Sequence, residues 1–342
     1  MKKKLLAVLL CSALVASMAG CGSSSSSSTS TDTTETEEST DDAEEEAEEA
    51  EDTTAETEEA KTIALVPPAM TSPYYEAVIE GATEVADTYG YTLSILAPES
   101  ESDYASQVQI VEDFITQGVD AIAICAINSE AITTAVKEAN EAGIPIVMFN
   151  GNAELEDCDV LSYVSYNQYD AGAMVAEWVA ENVGTELKVA IVEGLPSSQS
   201  TDRMGGFVDT VEASYPDIEV VATQAGDWER EAGMNAAANM ITANPDLDLI
   251  YALCDEMALG AVQAVKEANK DIQVIGFDGN PNAISSILSG ELLATLSANG
   301  SRTGEQVVEV LHSYFNGEDV ESNVVIEAVM VSSENADQFP AE

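Results

Sequence analysis

The chain has 342 residues and carries 11 Lys and Arg against 63 Asp and Glu, a net charge of −52. That length suits two domains at about 100–200 residues each rather than one small core. A surface this acidic repels phosphate backbones, which argues against a nucleic-acid partner.

Residues 1–20 read as a secretory signal peptide. Lys2, Lys3 and Lys4 form a positive start, the apolar run 5–19 is too short to span a bilayer, and small residues precede Cys21. The run Met18-Ala19-Gly20-Cys21 resembles a bacterial lipobox, with Met18 where Leu is commoner. That resemblance implies a diacylglyceryl group on the Cys21 sulfur and an anchored, extracytoplasmic protein; the alternative is an ordinary signal with an incidental cysteine. Two acyl chains suffice for stable membrane anchoring. Residues 22–60 hold 16 acidic side chains and no basic one. Such a segment cannot bury a core and repels itself, so residues 21–60 are expected to be a lipidated cysteine followed by a disordered acidic stalk. The remaining body, 61–342, holds 8 basic and 47 acidic residues and is acidic in its own right. Solubility explains this most simply, with a preference for a cationic ligand as the alternative. Cys125, Cys158 and Cys254 show neither a disulfide framework nor metal-ligand spacing, so no metal or cofactor is expected.

From Lys61 onward apolar runs alternate with helical patterns. Strands are expected at 63–66, 92–96, 121–125 and 144–149. Pro73 suits the first position of the first helix, in which Tyr75, Val78, Ile79, Ala82, Val85, Ala86 and Tyr89 recur at helical spacing before Gly90 ends it. After about Asn167 the scheme repeats, with strands at 189–192, 220–222, 249–253 and 274–277 and helices over 232–241 and 258–268. The strands are continuously apolar, the pattern of parallel strands covered on both faces by helices.

An internal repeat links the two halves. Ala135-Val136-Lys137-Glu138-Ala139-Asn140 recurs at 264–269, Cys125 and Cys254 precede it at equivalent places, and each copy leads into an apolar strand with a polar-Gly exit, Asn150-Gly151 and Asp278-Gly279. The predicted fold is therefore α/β, with two similar doubly wound parallel-sheet lobes. Ligands of open parallel sheets bind at the carboxyl ends of strands, so Asn150 and Asp278 are expected on opposite walls of one cleft. Each would alternatively cap the next helix.

Residues 61 to about 331 resemble the substrate-binding proteins of bacterial ABC sugar importers, in the cluster that handles ribose, galactose and related sugars. The resemblance rests on Ile63-Ala64-Leu65-Val66 followed by Pro73-Tyr74-Tyr75, on Arg203-Met204-Gly205-Gly206-Phe207, on the run from Cys254 to Ala261, and on Val274-Ile275-Gly276-Phe277-Asp278-Gly279. Lactose-repressor-type regulators share this body but need an N-terminal helix-turn-helix, where this chain has a signal and stalk. The resemblance implies the type I periplasmic-binding-protein-like arrangement, with a multi-strand hinge joining residues 61–165 plus 299–325 to residues 166–298 plus 326–342. Crossovers are expected near 163–167, 298–300 and 324–327. It implies a monomer that captures a sugar, polyol or related solute by hinge closure and delivers it to the subunits of an ABC permease. The alternatives are a sensor that signals to a chemoreceptor or kinase, or a binder of a non-sugar solute.

The implied ligand contacts are Tyr74, with Tyr75 beside it, on one ring face, Trp228 on the other, Arg203 on hydroxyls, and Asn150 and Asp278 from the two strand exits. Flat aromatics suit the C–H faces of a sugar, and charged or bidentate groups suit its rim. Structural alternatives exist for several. Tyr74 could be exposed, Tyr75 shares the spacing of core positions, and Arg203 could be a surface ion-pair partner. Trp228 lies in the polar context Asp227-Trp228-Glu229-Arg230, unlike Trp178 between Val175 and Val179. Asp255 is included as a contact to ligand or hinge, with helix capping as the alternative. Ser72, Gly151, Cys254 and Ala298 depart from the sugar pattern at four polar positions, which leaves the ligand's identity open. An enzyme is not expected. His312 is the single histidine, and no Gly-x-Ser-x-Gly elbow, phosphate loop or calcium loop occurs.

Overall fold

Alternation along a strand places successive side chains on opposite faces, and here both faces are apolar. In β1 (Thr62–Val66), Ile63 and Leu65 enter one core while Ala64 and Val66 enter another. A computed structural model describes residues 60–151 and 153–341, all within one compact unit, Thr57–Glu342. The expected signal peptide, Cys21 and all of the expected stalk but Ala60 lie outside the described residues.

The first sheet takes up the helical alternation as expected. α1 (Pro73–Tyr89) begins on proline and ends on Gly90, whose φ of 72° favours glycine. Then follow β2 (Thr92–Ile95), α2 (Tyr104–Gln117), β3 (Ala121–Ile124), α3 (Ser129–Glu141), β4 (Ile146–Phe149) and β5 (Ser162–Ser165). The second sheet repeats this with α4 (Gln168–Asn182), β6 (Leu187–Glu193), α5 (Ser198–Ser214), β7 (Ile218–Ala225), α6 (Arg230–Ala243), β8 (Leu249–Ala252), α7 (Asp255–Ala268), β9 (Gln273–Asp278), α8 (Pro281–Leu288) and β10 (Ala294–Ser297). The chain then returns through α9 (Gly300–Phe315) and β11 (Asn323–Val325) to the first sheet and ends through β12 (Val329–Ser332) in the second.

The strand orders are β11-β5-β4-β3-β1-β2 and β12-β10-β9-β8-β6-β7, so the two sheets correspond strand for strand. All pairings are parallel except β12 with β10. The chain passes between the sheets three times: after β5, after β10, and between β11 and β12. α9 packs back on α1, because Gly304 and Gly81 let the backbones meet where any Cβ would overlap a carbonyl. Four strands escaped the sequence reading: β5, β10, β11 and β12. Their segments are three or four residues long, each with only two or three apolar residues beside Ser, Thr or Asn, too few to stand out. Among the described residues no helix is long and apolar enough to cross a membrane.

Candidate functional site

The repeat's two polar exits come to one cavity of about 70 Å³, lined by both Asn150 and Asp278. Neither is relaxed. Asn150 has φ 51° and Asp278 φ 122°, conformations that L residues seldom adopt and that persist where surroundings enforce them. Neither caps a helix, since Asn280 holds that position before α8. Asn150 donates through Nδ2 to the Tyr75 hydroxyl at 3.0 Å. Its carbonyl accepts from Gln168 Nε2 and Gln199 Nε2, both at 3.3 Å, which ties the first sheet's exit to α4 and α5. Its side-chain Oδ1 is buried with no partner.

Arg203 stands at the back of this cavity. It reaches there because α4 and α5 cross closely. Gly172 and Gly206 each sit where a Cβ would overlap the facing backbone. The guanidinium is 4 % exposed and almost fully committed: Nε donates to Gln168 Oε1 at 2.7 Å, Nη1 to the Leu253 carbonyl at 2.6 Å and Nη2 to the Tyr166 hydroxyl at 2.5 Å. Nη1 also pairs with Asp278 Oδ1 at 3.6 Å, and the group lies 3.9 Å from the Phe277 ring centroid. A rigid fork of this kind is pre-organised rather than a surface ion pair. Burial pushes the Asp278 carboxyl up to about 7, against the pull of Arg203.

The aromatic residues line the same space. Tyr74 and Tyr75 occupy the first turn of α1, edge to face at 5.3 Å, and both are buried. Tyr74 is hydrogen-bonded to Thr303 on α9. Trp228 sits in a left-handed turn with Asp227, at φ 66° and 54°, which turns it away from β7. Its ring lies against Gly194, where a Cβ would overlap the indole.

Residues 63–319 match the periplasmic binding protein domain family. The chain belongs to this family. It is 33% identical over 264 residues to a ribose import binding protein of Bacillus subtilis, covering 77% of this chain and 84% of that one. It is 30% identical over 258 residues to a xylitol-binding protein of Mycolicibacterium smegmatis, covering 74% and 73%. Among solved structures, an ABC transporter periplasmic solute binding protein of Actinobacillus succinogenes with bound D-allose superposes with a TM-score of 0.78 at 30% identity, over 82% of this chain and 100% of that one. An Agrobacterium vitis ABC transporter solute binding protein with bound D-fucose gives 0.77 at 28% identity, over 81% and 97%. The chain is a solute-binding protein of the type I periplasmic fold.

Within this periplasmic binding protein domain one expected contact needs correcting. Asp255 is fully buried and does not line the cavity. Its Oδ2 accepts from the Asn280 backbone N–H at 2.7 Å and its Oδ1 from Thr295 Oγ at 2.6 Å, so it braces the loop behind Asp278 against β10. Nor is it the helix cap, which is Cys254. Burial and then the neighbouring Asp278 charge hold its carboxyl well above the ordinary carboxylate range. The four departures divide. Ser72 and Cys254 line the cavity, Gly151 lies against the Gln199 amide, and Ala298 is fully buried outside the lining.

Sequence reasoning missed Glu101, Gln199 and Glu256, and the 195–197 turn. Glu101 lies in the loop after β2, and Leu195 in the loop after β6, so the rule that ligands gather at carboxyl strand ends reaches both once applied to every strand. Burial, followed by repulsion from Asp278, pushes the Glu101 carboxyl up to about 7. Glu256 accepts from Arg230 Nε and Nη2 at 2.9 and 2.8 Å. His312 lies outside the lining, hydrogen-bonded to the Tyr91 hydroxyl and stacked on Tyr89 at 3.6 Å.

Proposed function

We propose that this protein captures a small carbohydrate-like solute between its two lobes by hinge closure and delivers it to an ABC permease outside the cytoplasm. The observation that carries the reading is the convergence of Asn150 and Asp278, Tyr74, Tyr75, Arg203 and Trp228 on one cavity fed by both sheets. Residues 61–165 with 299–325 are taken as one lobe and 166–298 with 326–342 as the other, which the strand membership of the two sheets supports. Three chain crossings between sheets form a hinge that can rotate without unpairing either sheet. A ligand touching both walls favours the closed form through its differential affinity for the two states. The permease would then read the closed shape. Cleavage of residues 1–20, lipidation of Cys21 and an acidic stalk would hold the binding body at the outer membrane face of its cell.

Relatives that bind ribose, xylitol, D-allose and D-fucose support a sugar or polyol as the solute class. Aromatic faces and a rigid guanidinium suit such a molecule's C–H faces and hydroxyl rim. A thermal-shift screen of sugars and polyols is expected to find a ligand that raises the melting temperature by mass action. With that ligand, Trp228→Ala is expected to lose about 2 kcal/mol of binding or more, as buried aromatic anchors do, while the far-UV spectrum stays unchanged. Unchanged calorimetric affinity would remove Trp228 from the site.

A further inference from the structure

The charges that line the cavity do not balance, and the imbalance has a location. Arg203 is spoken for by Asp278 at 3.6 Å and by three neutral acceptors. Glu256 is clasped by Arg230 at 2.8 Å. Glu101 lines the same cavity and, among the described residues, has no hydrogen bond or ion pair. A second acceptor without a partner belongs to the same lining. Asn150 is 3 % exposed, its Nδ2 is bound to the Tyr75 hydroxyl, and its Oδ1 is left unpaired. Glu101, Asn150 and the Tyr75 that Asn150 holds all line this one cavity, so the two acceptors face one space.

Both groups need a donor, and one of them also needs a counter-charge. Glu101 is half-buried, and a carboxylate partly withdrawn from water without a cation is costly, more so than an unpaired hydroxyl. A ligand hydroxyl would supply a donor and leave the charge. An ammonium supplies several N–H donors and cancels it. The adjoining cavity, about 430 Å³, extends the same character: Glu99, Asp227 and Glu229 join Glu101 there, facing Arg230 as the single cation of its lining. Walls of one sign concentrate ligands of the other.

We propose that the solute is cationic, a polyhydroxylated molecule bearing a protonated amine, an amino sugar or amino polyol, whose nitrogen sits between Glu101 and Asn150 Oδ1. This rests on the solute-binding reading above and narrows its ligand class. Aromatic walls and Arg203 would hold the neutral remainder. The pH dependence follows. Glu101 faces Asp278, Arg203 and Glu229, and its carboxyl is raised to about 7. A cationic ligand favours the ionised form, so its affinity falls as pH drops below 7 and Glu101 takes up a proton.

Calorimetry on the purified protein with matched pairs tests this: galactosamine with galactose, glucosamine with glucose, and glucamine with sorbitol, each also against the neutral N-acetyl form where one exists. At least one amine is expected to bind tenfold or more tighter than its parent, and to weaken by up to tenfold per pH unit from pH 7 to 5.5. Glu101→Gln should bring that amine to within about threefold of its parent and flatten the pH profile. Neutral parents or N-acetyl forms that bind as tightly as the amines, or amine affinity that rises toward pH 5.5, would overturn the inference and leave the solute-binding reading standing. Failure of every sugar, polyol and amine to bind would overturn both.

Discussion

The two lobes present the same polar exit on the same strand of the same sheet order, yet they support it differently. In the second lobe, Asp278 is held on every side. Arg203 pairs with it in front, and Asp255 braces the following loop from behind. Asp255 falls in the repeat where the first lobe has Ala126, which cannot brace anything. There Gln107 substitutes from α2, donating to the Cys125 carbonyl and accepting from the Ile127 N–H, both at 2.9 Å. That clamp fixes β3's exit; at β4's exit the Asn150 amide holds Tyr75, its carbonyl is held by Gln168 and Gln199 from α4 and α5, and its Oδ1 is bare. The second lobe is thus a finished half-site, and the first keeps one buried acceptor without a partner. Pre-organisation in one wall lowers the cost of closing on a ligand, while acceptors left vacant in the other make closure depend on the ligand's donors.

Removing the keystone of the finished half should do most damage. Arg203→Ala strips a partner from buried Asp278 and leaves Gln168 and the Leu253 carbonyl unsatisfied, so a loss of about 3–5 kcal/mol in denaturant unfolding is expected. A loss below ~1 kcal/mol would mean the second lobe is no more committed than the first. Asp255→Ala comes next. It orphans the Asn280 N–H and the Thr295 hydroxyl, at about 1–3 kcal/mol for the buried groups concerned. It should also weaken ligand binding without touching the ligand, because the loop carrying Asp278 loses its brace. Affinity unchanged by Asp255→Ala, measured by calorimetry in folded protein, would detach the brace from the site.

A smaller effect is expected at Gly194. A Cβ there overlaps the Trp228 ring, so Gly194→Ala must displace the indole and cost about 1.4 kcal/mol, tenfold, in ligand affinity. Stability should move little, since the turn is at the cleft. An affinity equal to wild type would show the ring free to slide.

How much of this was legible in the residues follows from the same contrast. The second lobe's exit lies in a run, Val274 to Gly279, whose apolar strand and polar-Gly end announce themselves, and the hexapeptide repeat carries the reading across to Asn150. The aromatic pair after Pro73 and the polar setting of Trp228 were readable for the same reason, as local patterns. Glu101 was not. It sits in the acidic turn 99–103, where it looks like one more surface carboxylate of a chain with 63. Only its place in the cavity lining with Tyr75 and Asn150 singles it out. Asp255 was misplaced for the converse reason. It adjoins the cavity-lining Cys254 and Glu256 in sequence, but as the first residue of α7 it points toward β10 instead. Neighbours on a helix start share a loop and not a direction.

The lobes' difference extends to the pH dependence of stability. Glu101 and Asp278 have folded-state carboxyls raised to about 7 from ordinary values near 4.5 and 3.8, chiefly by loss of water around each, with Asp278 repelling Glu101, Glu256 repelling Asp278 and Arg203 offsetting part. A raised acid binds its proton more tightly folded than unfolded. Stability contributed this way is full below the unfolded value and is lost as pH rises toward 7. The melting temperature of ligand-free protein should therefore fall between pH 4.5 and 7. The acidic body's self-repulsion adds to the same slope, so the wild-type curve alone does not assign it. Glu101→Gln removes one titrating group and relieves Asp278. It should make the slope shallower and raise the melting temperature at pH 7 by more than at pH 5. An amine ligand reverses the sign for that one residue: by pulling the Glu101 proton off, it shifts the most stable pH of the complex upward relative to the empty protein. A variant curve parallel to wild type would place Glu101 in solvent and return the first lobe to parity with the second.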